Sequence, residues 1–305
     1  MTSLSAPKNR ASGAPRLVMI TPARNEAERL PRLAASVVAQ TMRPVRWVIV
    51  DDGSTDETLA VARGLARSFP WITVVARSDR GARRLGGGVV DTFNAGLDSV
   101  KEPWDFVAKV DADLSFGDRY IARLTEHFDR DSKLGSASGK VFRPENGGLV
   151  EEFMIDDMVA GQWKCWRRQC FEDIGGLVPE VMWDGIDFHQ ARRAGWRTRS
   201  VPEDDLKILH HRLMGSSDRS VYRGRVRLGR GQWFMGTHPL YLLASAAFRM
   251  KERPYVLGGI CMIWGYFASA VMNHRRFEEP GFRDDLRRWQ LHRLHALVTQ
   301  GRVRS

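Results

Sequence analysis

Short apolar runs alternate with segments of helical periodicity from the start of the chain to Val110. Four runs are typical of strands buried on both faces, at residues 16–21, 45–50, 71–75 and 106–110. Between them, apolar residues recur near helical spacing over residues 25–40, from about 55 to 69, and over 89–99. This alternation predicts an α/β fold with an open, mostly parallel sheet flanked by helices. Ligands of such sheets bind beyond the carboxyl ends of the strands.

The pattern changes after Val110. Strands are predicted at residues 138–143 and 197–202, helices at 151–171 and 186–194, and Gly175-Gly176 marks a turn. From about residue 212 the chain becomes rich in arginine and then apolar. We therefore expect a disordered leader over residues 1–15, an α/β domain over 16–212 and a helical extension over 213–305. The leader lacks the apolar core of a signal peptide.

Composition narrows the class of protein. The 305 residues are 43% hydrophobic and 27% charged, which is typical of a globular chain with a sizeable core, and the net charge is +11. That charge suits an anionic membrane surface or a phosphorylated substrate. Nucleic acid is disfavoured because no compact basic block with interleaved aromatic residues occurs. Cys165, Cys170 and Cys261 suggest neither a disulfide framework nor a zinc site, so the expected compartment is the reducing cytoplasm.

Two carboxylates follow the strand predicted at residues 106–110. Asp111 and Asp113 are two residues apart, and side chains at that spacing point to the same side of an extended chain. Two carboxylates that face one point suit a hard divalent cation, Mg²⁺ or Mn²⁺, which would in turn bind a diphosphate. The alternative is an ordinary acidic loop after a strand.

Polar residues also follow the first two predicted strands. In Asp51-Asp52-Gly53-Ser54, one of the carboxylates could accept a hydrogen bond from the imide N–H of a nucleotide base, while Gly53 lets the backbone turn closely past a ligand. Pro22, Ala23, Arg24 and Glu26 would form the neighbouring wall of that site. The alternative for both segments is helix capping.

A basic, glycine-rich loop spans residues 81–88. Its Arg83 and Arg84 could make forked contacts with phosphate oxygens. The spacing is neither that of a Walker loop nor that of a dinucleotide fingerprint, and a solvated loop is the alternative.

Two later segments carry candidate chemistry. Asp184 or Asp187 could remove a proton from an acceptor hydroxyl, although Asp187 also suits a charge near a helix start. His210 or His211 could add a neutral imidazole to the two aspartates as a metal ligand, although a lone histidine pair is more often structural.

The order of these segments resembles glycosyltransferase family 2, the inverting nucleotide-sugar enzymes of the GT-A fold. The resemblance covers roughly residues 16–212. The segments that carry it are Thr21-Pro22-Ala23-Arg24-Asn25-Glu26, Val50-Asp51-Asp52-Gly53-Ser54-Thr55-Asp56, Asn94-Ala95-Gly96-Leu97, Val110-Asp111-Ala112-Asp113, Gly175-Gly176-Leu177 and Asp184–Asp187.

The resemblance implies a nucleotide-sugar-binding catalytic domain. It implies that Asp52 lies near the base, that Asp111 and Asp113 form the Asp-X-Asp metal motif, and that a late histidine joins the metal side. The base is expected in an acidic pair, usually Glu-Asp, whereas this chain reads Asp184-Gly185, and we favour Asp184 over Asp187. The expected reaction is transfer of a sugar to an acceptor hydroxyl with inversion, in the synthesis of a polysaccharide or glycolipid.

Two other functions agree less well with the sequence. A nucleotidyltransferase that forms sugar nucleotides would carry a glycine-rich phosphate loop directly after the first strand, where this chain has Pro22 to Glu26. A nonenzymatic protein that binds anionic lipid would use the positive charge but leaves the acidic clusters unexplained.

The C-terminal extension gives weaker signals. In the family, a Gln/Arg/Trp segment lines the acceptor side, which makes Gln232 and Trp233 candidates beside the alternative of a packed helix. Residues 255–272 contain no Asp, Glu, Lys or Arg and approach the length of a spanning helix. Their glycines also allow a re-entrant or interfacial hairpin or a buried helix. Because arginines follow this run, we expect contact with the cytoplasmic face of a membrane.

Overall fold

The computed structural model describes residues 13, 15–79, 86–145, 147–211, 220–251 and 254–299 of the chain. Nearly all of the leader expected at 1–15 lies outside these residues. The candidate phosphate contacts Arg83 and Arg84 also lie outside them.

The first half of the chain alternates strands and helices as the sequence predicts. Its elements are β1 (Leu17–Ala23), α1 (Leu30–Val38), β2 (Arg46–Asp51), α2 (Thr58–Ser68), β3 (Ile72–Ala76), α3 (Gly87–Asp98), β4 (Phe106–Val110), β5 (Leu114–Phe116) and α4 (Tyr120–Arg130). The middle of the chain contains β6 (Leu134–Gly139), β7 (Val141–Glu145), β8 (Gly148–Glu151), β9 (Trp163–Arg167), α5 (Arg168–Asp173), α6 (Trp183–Arg193), β10 (Arg197–Val201) and β11 (Ile208–His210).

The main sheet has seven strands in the order β10-β6-β9-β4-β1-β2-β3. β1 pairs in parallel with β2 and β4, β2 with β3, and β6 with β10. β9 alone among these seven strands runs antiparallel to its neighbours β4 and β6. The expected α/β fold with a mostly parallel sheet flanked by helices is therefore confirmed.

Alternate residues of the central strands enter two core layers, one on each face of the sheet. On β1, Leu17 and Met19 join one layer while Val18 and Ile20 join the other, and all four are fully buried. This explains why the runs read as continuously apolar rather than alternating. Gly96 lets α3 approach the second face closely, because a Cβ at that position would lie 2.7 Å from the methyl groups of Ile20 and Val50.

A second, four-stranded sheet has the order β5-β11-β7-β8. β11 pairs antiparallel with β5 and parallel with β7, so a strand near residue 210 lies beside the strand that follows Asp113. This small sheet was not expected as a separate unit. The strand predicted at 138–143 is in fact β6 and β7, which belong to the two different sheets.

The helix predicted over residues 151–171 is wrong. That segment contains β9 and the start of α5. Trp163 and Cys165 enter one core layer while Trp166 enters the other, so the aromatic residues fill both faces of the sheet. Pairing with β4 and β6, which are distant in sequence, makes this segment a strand although its local pattern favours a helix.

The described part of the C-terminal extension contains four helices: α7 (Val221–Met235), α8 (Pro239–Arg249), α9 (Leu257–Val271) and α10 (Phe282–Thr299). Small apolar clusters join them, one of which contains Trp233, Leu242, Met262 and Tyr266. None of the helices in the described ranges combines the length and the apolar character needed to cross a membrane.

Candidate active site

The predicted acidic tips lie at one edge of the main sheet. Asp51 ends β2, Val110 ends β4, and β1 lies between these two parallel strands. The tips of β2 and β4 are therefore two interstrand spacings apart, about 10 Å. Asp52 and Asp111, the next residue after each strand, share the carboxyl edge at which ligands of open α/β sheets bind.

Asp52 is mostly buried and lies among charged residues from three strand ends. Its carboxylate Oδ1 is 3.3 Å from the guanidinium of Arg77, which follows β3. Arg24 donates to the Asp52 carbonyl oxygen at 2.6 Å and to Asp79 at 2.7 Å. Gly53 has a φ of +71°, and a Cβ there would lie 2.4 Å from the Cα of Asp79. The turn after β2 is therefore packed directly against the segment after β3.

The residues after β1 have different surroundings. Pro22 and Ala23 pair with Val50 and Asp51 of β2, and the Ala23 carbonyl accepts from the Asp52 N–H at 2.8 Å. Pro22 and Ala23 therefore lie beside Asp52. Glu26 is 3% exposed, and its carboxylate is 3.4 Å from Arg29. This position argues for a structural role of Glu26 rather than the predicted contact with a nucleotide.

Asp111 carries a counter-ion that the sequence analysis missed. The Nζ of Lys109 lies 2.5 Å from Asp111 Oδ1 and donates to the carbonyl of Gly161 at 2.7 Å. It also lies 5.4 Å from the centre of the Trp183 ring. Because Lys109 is nearly buried, it ties the end of β4 to the segments that carry Gly161 and Trp183.

The small sheet brings a histidine to Asp113. His210 pairs with Leu114 across β11 and β5, and its Nε2 lies 3.6 Å from Asp113 Oδ2. Its Nδ1 lies 2.9 Å from the carboxylate of Glu152, which directly follows β8. Burial alone would lower the pKa of His210, but the contacts with Asp113 and Glu152 outweigh burial and raise it to about 10.

His211 does not join this group. Its Nε2 lies 2.7 Å from the hydroxyl of Ser115, while its backbone N–H donates to the Asp113 carbonyl at 2.9 Å. Adjacent residues of an extended chain point to opposite sides, so only one of the two histidines can face Asp113. Of the two histidines, His210 therefore has the ring closer to the Asp113 carboxylate, and its role as a metal ligand stays a prediction.

The donor set fits a divalent cation only in part. Within the described ranges, no three His, Cys, Asp or Glu side chains form a ready-made metal cluster. Asp113 and His210 supply a carboxylate and an imidazole, whereas Asp111 is engaged by Lys109. Mg²⁺ typically takes one or two protein carboxylates and completes its shell with water and substrate phosphates. Two protein ligands would suffice for a cation shared with a diphosphate.

The two candidate bases differ in accessibility. Asp187 is 1% exposed; Lys164 Nζ lies 2.7 Å from one of its carboxylate oxygens, and Trp166 Nε1 donates to the other at 2.8 Å. Both oxygens are therefore occupied by buried core residues, which argues against the prediction of Asp187 as a base. Asp184 is half-buried in the first turn of α6, where the helix dipole favours a carboxylate.

Asp184 also lies beside the Asp111–Lys109 pair. Its Oδ2 is 3.0 Å from the position that a Cβ on Gly161 would take, and the Gly161 carbonyl accepts from Lys109, the partner of Asp111. Gly161 thus leaves room for the Asp184 carboxylate beside the Asp111–Lys109 pair.

The two acceptor-side candidates lie within the C-terminal helices. Trp233 is 8% exposed, packs edge to face on Tyr266 and donates its indole N–H to the His274 carbonyl at 2.9 Å. It is a core residue of the extension, and the expected acceptor contact stays a prediction. Gln232 accepts a hydrogen bond from Thr237 and is likewise committed within the extension. The part of α7 that approaches the site is instead Gly231, where a Cβ would lie 2.6 Å from Met182 Cγ.

Sequence reasoning missed Arg77, Lys109 and Glu152. Arg77 carried a usable signal, because it follows a predicted strand just as Asp52 does. Lys109 interrupts an apolar strand one residue before its end, which is itself a sign of a buried partner. Glu152 had no such sign, since it lies in the segment wrongly predicted as a helix.

Comparison with known proteins agrees with this architecture. The model of glycosyl transferase family 2 matches residues 18–168. A PGL/p-HBAD biosynthesis glycosyltransferase of Mycobacterium bovis is 29% identical over 167 residues, which cover 53% of this chain and 63% of that protein. Polyprenol monophosphomannose synthase of Mycolicibacterium smegmatis is 30% identical over 181 residues, covering 52% and 64%. The chain therefore matches less than two thirds of the length of these relatives.

Solved structures share the fold at low sequence identity. The mannosyltransferase PcManGT of Pyrobaculum calidifontis, in complex with GDP-Man and Mn²⁺, has a TM-score of 0.54 and 16% identity and covers 95% of this chain and 89% of its own. GalNAc-T7 with UDP, GalNAc and Mn²⁺ has a TM-score of 0.59 and 14% identity, covering 95% and 58%. With its family match over residues 18–168 and its mostly parallel sheet flanked by helices, the chain carries a glycosyltransferase family 2 domain.

Proposed function

We propose that this chain transfers a sugar from a nucleotide-sugar donor to a hydroxyl of a lipid-linked or polysaccharide acceptor, with inversion. The observation that supports the proposal is that Asp52 and Asp111 follow strands at one edge of the main sheet, with Asp113 and Asp184 on the Asp111 side of that edge. The names of two relatives, which mention PGL/p-HBAD biosynthesis and polyprenol monophosphomannose, support a lipid acceptor.

The donor would lie across the tips of β1, β2 and β4. Asp52, held by Arg77, would accept a hydrogen bond from the base, and Pro22, Ala23 and Arg24 would form the adjoining wall. Arg83 and Arg84 remain proposed contacts of the diphosphate. Asp113 and His210 would hold a divalent cation, Mg²⁺ or Mn²⁺, which supplies neutralisation of the charge on the departing diphosphate.

Asp184 would act on the acceptor. Its carboxylate would take the proton of the attacking hydroxyl, so that the oxygen attacks the anomeric carbon opposite the leaving diphosphate. A single displacement of this kind inverts the configuration at that carbon. The proposed place of the reaction is the cytoplasmic face of a membrane, in keeping with the arginine-rich, apolar extension and the free cysteines.

The test is a screen of nucleotide sugars with and without Mn²⁺ or Mg²⁺. We expect one donor to raise the thermal unfolding midpoint and to be slowly hydrolysed, both only with the cation present. Asp113→Asn should remove both effects, whereas Asp118→Asn, an exposed aspartate beyond the site, should keep them. Failure of every donor to bind would contradict the proposal. Release of pyrophosphate from a nucleoside triphosphate and a sugar phosphate would show a nucleotidyltransferase instead.

A further inference from the structure

The outward face of α9 is an exposed apolar stripe. It consists of Leu257, Ile260, Trp264, Phe267 and Val271, all of which are exposed. Steps of three and four residues place these side chains on one face of the helix, over a length of about 21 Å. Trp264 is 67% and Val271 88% exposed. Contiguous exposed apolar surface of this kind marks an interaction site.

The opposite face of α9 fixes the direction in which the stripe points. A Cβ on Gly265 would lie 2.1 Å from the Val226 carbonyl oxygen of α7, and one on Gly229 would lie 2.0 Å from the Met262 carbonyl oxygen. The two helices therefore meet backbone to backbone, which only glycine permits. Because a rotation of α9 would break this contact, the apolar stripe cannot turn inward.

The segment that contains the stripe is strongly positive. Residues 220–277 contain nine Lys and Arg but a single acidic residue, Glu252. Arg223, Arg230 and Lys251 are exposed, and the Arg225 guanidinium lies near Gly258 at the start of α9. Apolar side chains bordered by basic ones match the acyl chains and anionic headgroups of a lipid surface. A second copy of the chain would bring two positive surfaces together.

We propose that the stripe of α9 docks on a bilayer that contains anionic lipid, with the helix lying along the surface. Trp264, in the middle of the stripe, enters the boundary between headgroups and acyl chains, where indole rings are favoured. The neighbouring basic residues contact lipid phosphates. This contact needs no spanning segment, in agreement with the absence of a spanning helix from the described ranges.

The extension links this surface to the candidate site. On α7, Gly231 packs against Met182, and the Met235 sulfur lies 3.2 Å from the position that a Cβ on Gly185 would take. α7 therefore contacts residues that precede and follow Asp184 in the chain. α9 packs on that same helix, which places Asp184 on the order of 20 Å from the lipid surface. A lipid-linked acceptor would have to extend over this distance to bring its hydroxyl to Asp184. This last step rests on the proposed function, whereas docking itself does not.

Sedimentation with lipid vesicles tests the docking surface. Wild type should bind vesicles of phosphatidylcholine and phosphatidylglycerol in equal parts more tightly than vesicles of phosphatidylcholine alone, and added salt should weaken the binding. Ile260→Glu/Trp264→Glu, and Trp264→Ser as a milder variant, should lower binding, the double variant by at least about tenfold. Val45→Glu, at the amino end of β2 on the opposite edge of the sheet, is the control and should bind as wild type.

The outcomes separate docking from catalysis. Wild type that ignores anionic vesicles, or stripe variants that bind as well as wild type, would overturn the docking surface. So would a dimer in solution that the Trp264 variants dissociate, because the stripe would then be a contact between copies. Hydrolysis of the donor without vesicles should be unchanged in the stripe variants. A protein that binds vesicles but hydrolyses no donor would refute the proposed function and leave the surface standing.

Discussion

The carboxyl edge of the main sheet and the C-terminal helices use opposite kinds of residue for contact. At the edge, apolar side chains are buried in two layers below, and charged side chains form ion pairs, Arg77 with Asp52 and Lys109 with Asp111. In the extension, glycines are buried between helices while aromatic and aliphatic side chains such as Trp264 face outward.

This difference teaches that the two regions respond to different forces. The proposed activity of the edge depends on where the strands place charged groups. Replacing a carboxylate there by an amide should therefore lower sugar transfer and leave the fold intact. The stability of the extension depends on the close approach of helix backbones, so a single added methyl group should disturb the packing of the helices. Substitutions can therefore separate activity from stability.

The largest effect is expected at Asp184. Asp184→Asn should reduce sugar transfer by about 10²- to 10⁴-fold, the usual range for loss of a general base, with donor binding and the unfolding midpoint unchanged. Transfer rates and donor affinity, measured separately, check this. Full transfer by the variant would reject Asp184 as the base.

Asp187→Asn is the contrasting variant at the same helix. It leaves the buried Lys164 ammonium without its carboxylate, which should cost about 3–5 kcal/mol in the free energy of unfolding. The loss would show in chemical denaturation rather than specifically in transfer.

The next effect concerns the contact of α7 with α9. Gly265→Ala places a Cβ against the Val226 carbonyl oxygen and should lower the free energy of unfolding by about 3 kcal/mol. Gly64→Ala in α2 is the matched control: its Cβ would meet only the tip of Arg67 at 3.9 Å, so stability should rise slightly. Equal effects of the two variants would contradict the close packing of these helices.

A smaller effect is expected at Glu152, which positions His210. Removing its charge should weaken Mn²⁺ binding by about 10- to 100-fold, as for other partners of metal-binding histidines, without a change in stability of the same size. Glu151→Gln is the control, since the neighbouring carboxylate lies 3.7 Å from Lys140 rather than at His210. Calorimetric titration of Mn²⁺ into Glu152→Gln, Glu151→Gln and wild type checks this. Unchanged affinity in Glu152→Gln would remove the positioning role.

A separate effect is a pH dependence of stability without metal. The pKa of His210 is raised to about 10 in the folded protein, against about 6.5 when unfolded. The charged imidazolium thus stabilises the folded state fully below about pH 6.5, and this contribution disappears as the pH rises through about 10. Denaturant unfolding of wild type and His210→Gln over this window should converge at high pH. A constant difference would contradict the raised pKa.

Sequence patterns predicted the strands β1 to β4 closely because both faces of these strands are buried and their apolar runs are unbroken. The positions of Asp52, Asp111 and Asp113 at strand ends followed from the same pattern, and His210 was one of two candidates. The patterns failed over 151–171, where β9 alternates large side chains into two cores and carries the buried Lys164. They also could not distinguish Trp233 as a core residue from a residue that faces an acceptor.

By itself, the sequence determined the α/β sheet, the acidic strand ends and the apolar, basic character of the extension, since each depends on residues close together in the chain. Only the tertiary structure decided which of two neighbouring residues faces Asp113, His210 rather than His211. It also decided which of the two candidate bases pairs with the buried Lys164, namely Asp187 rather than Asp184. It also decided that the apolar residues of α9 face outward. Each of these outcomes depends on pairing between segments far apart in sequence, which local periodicity does not encode.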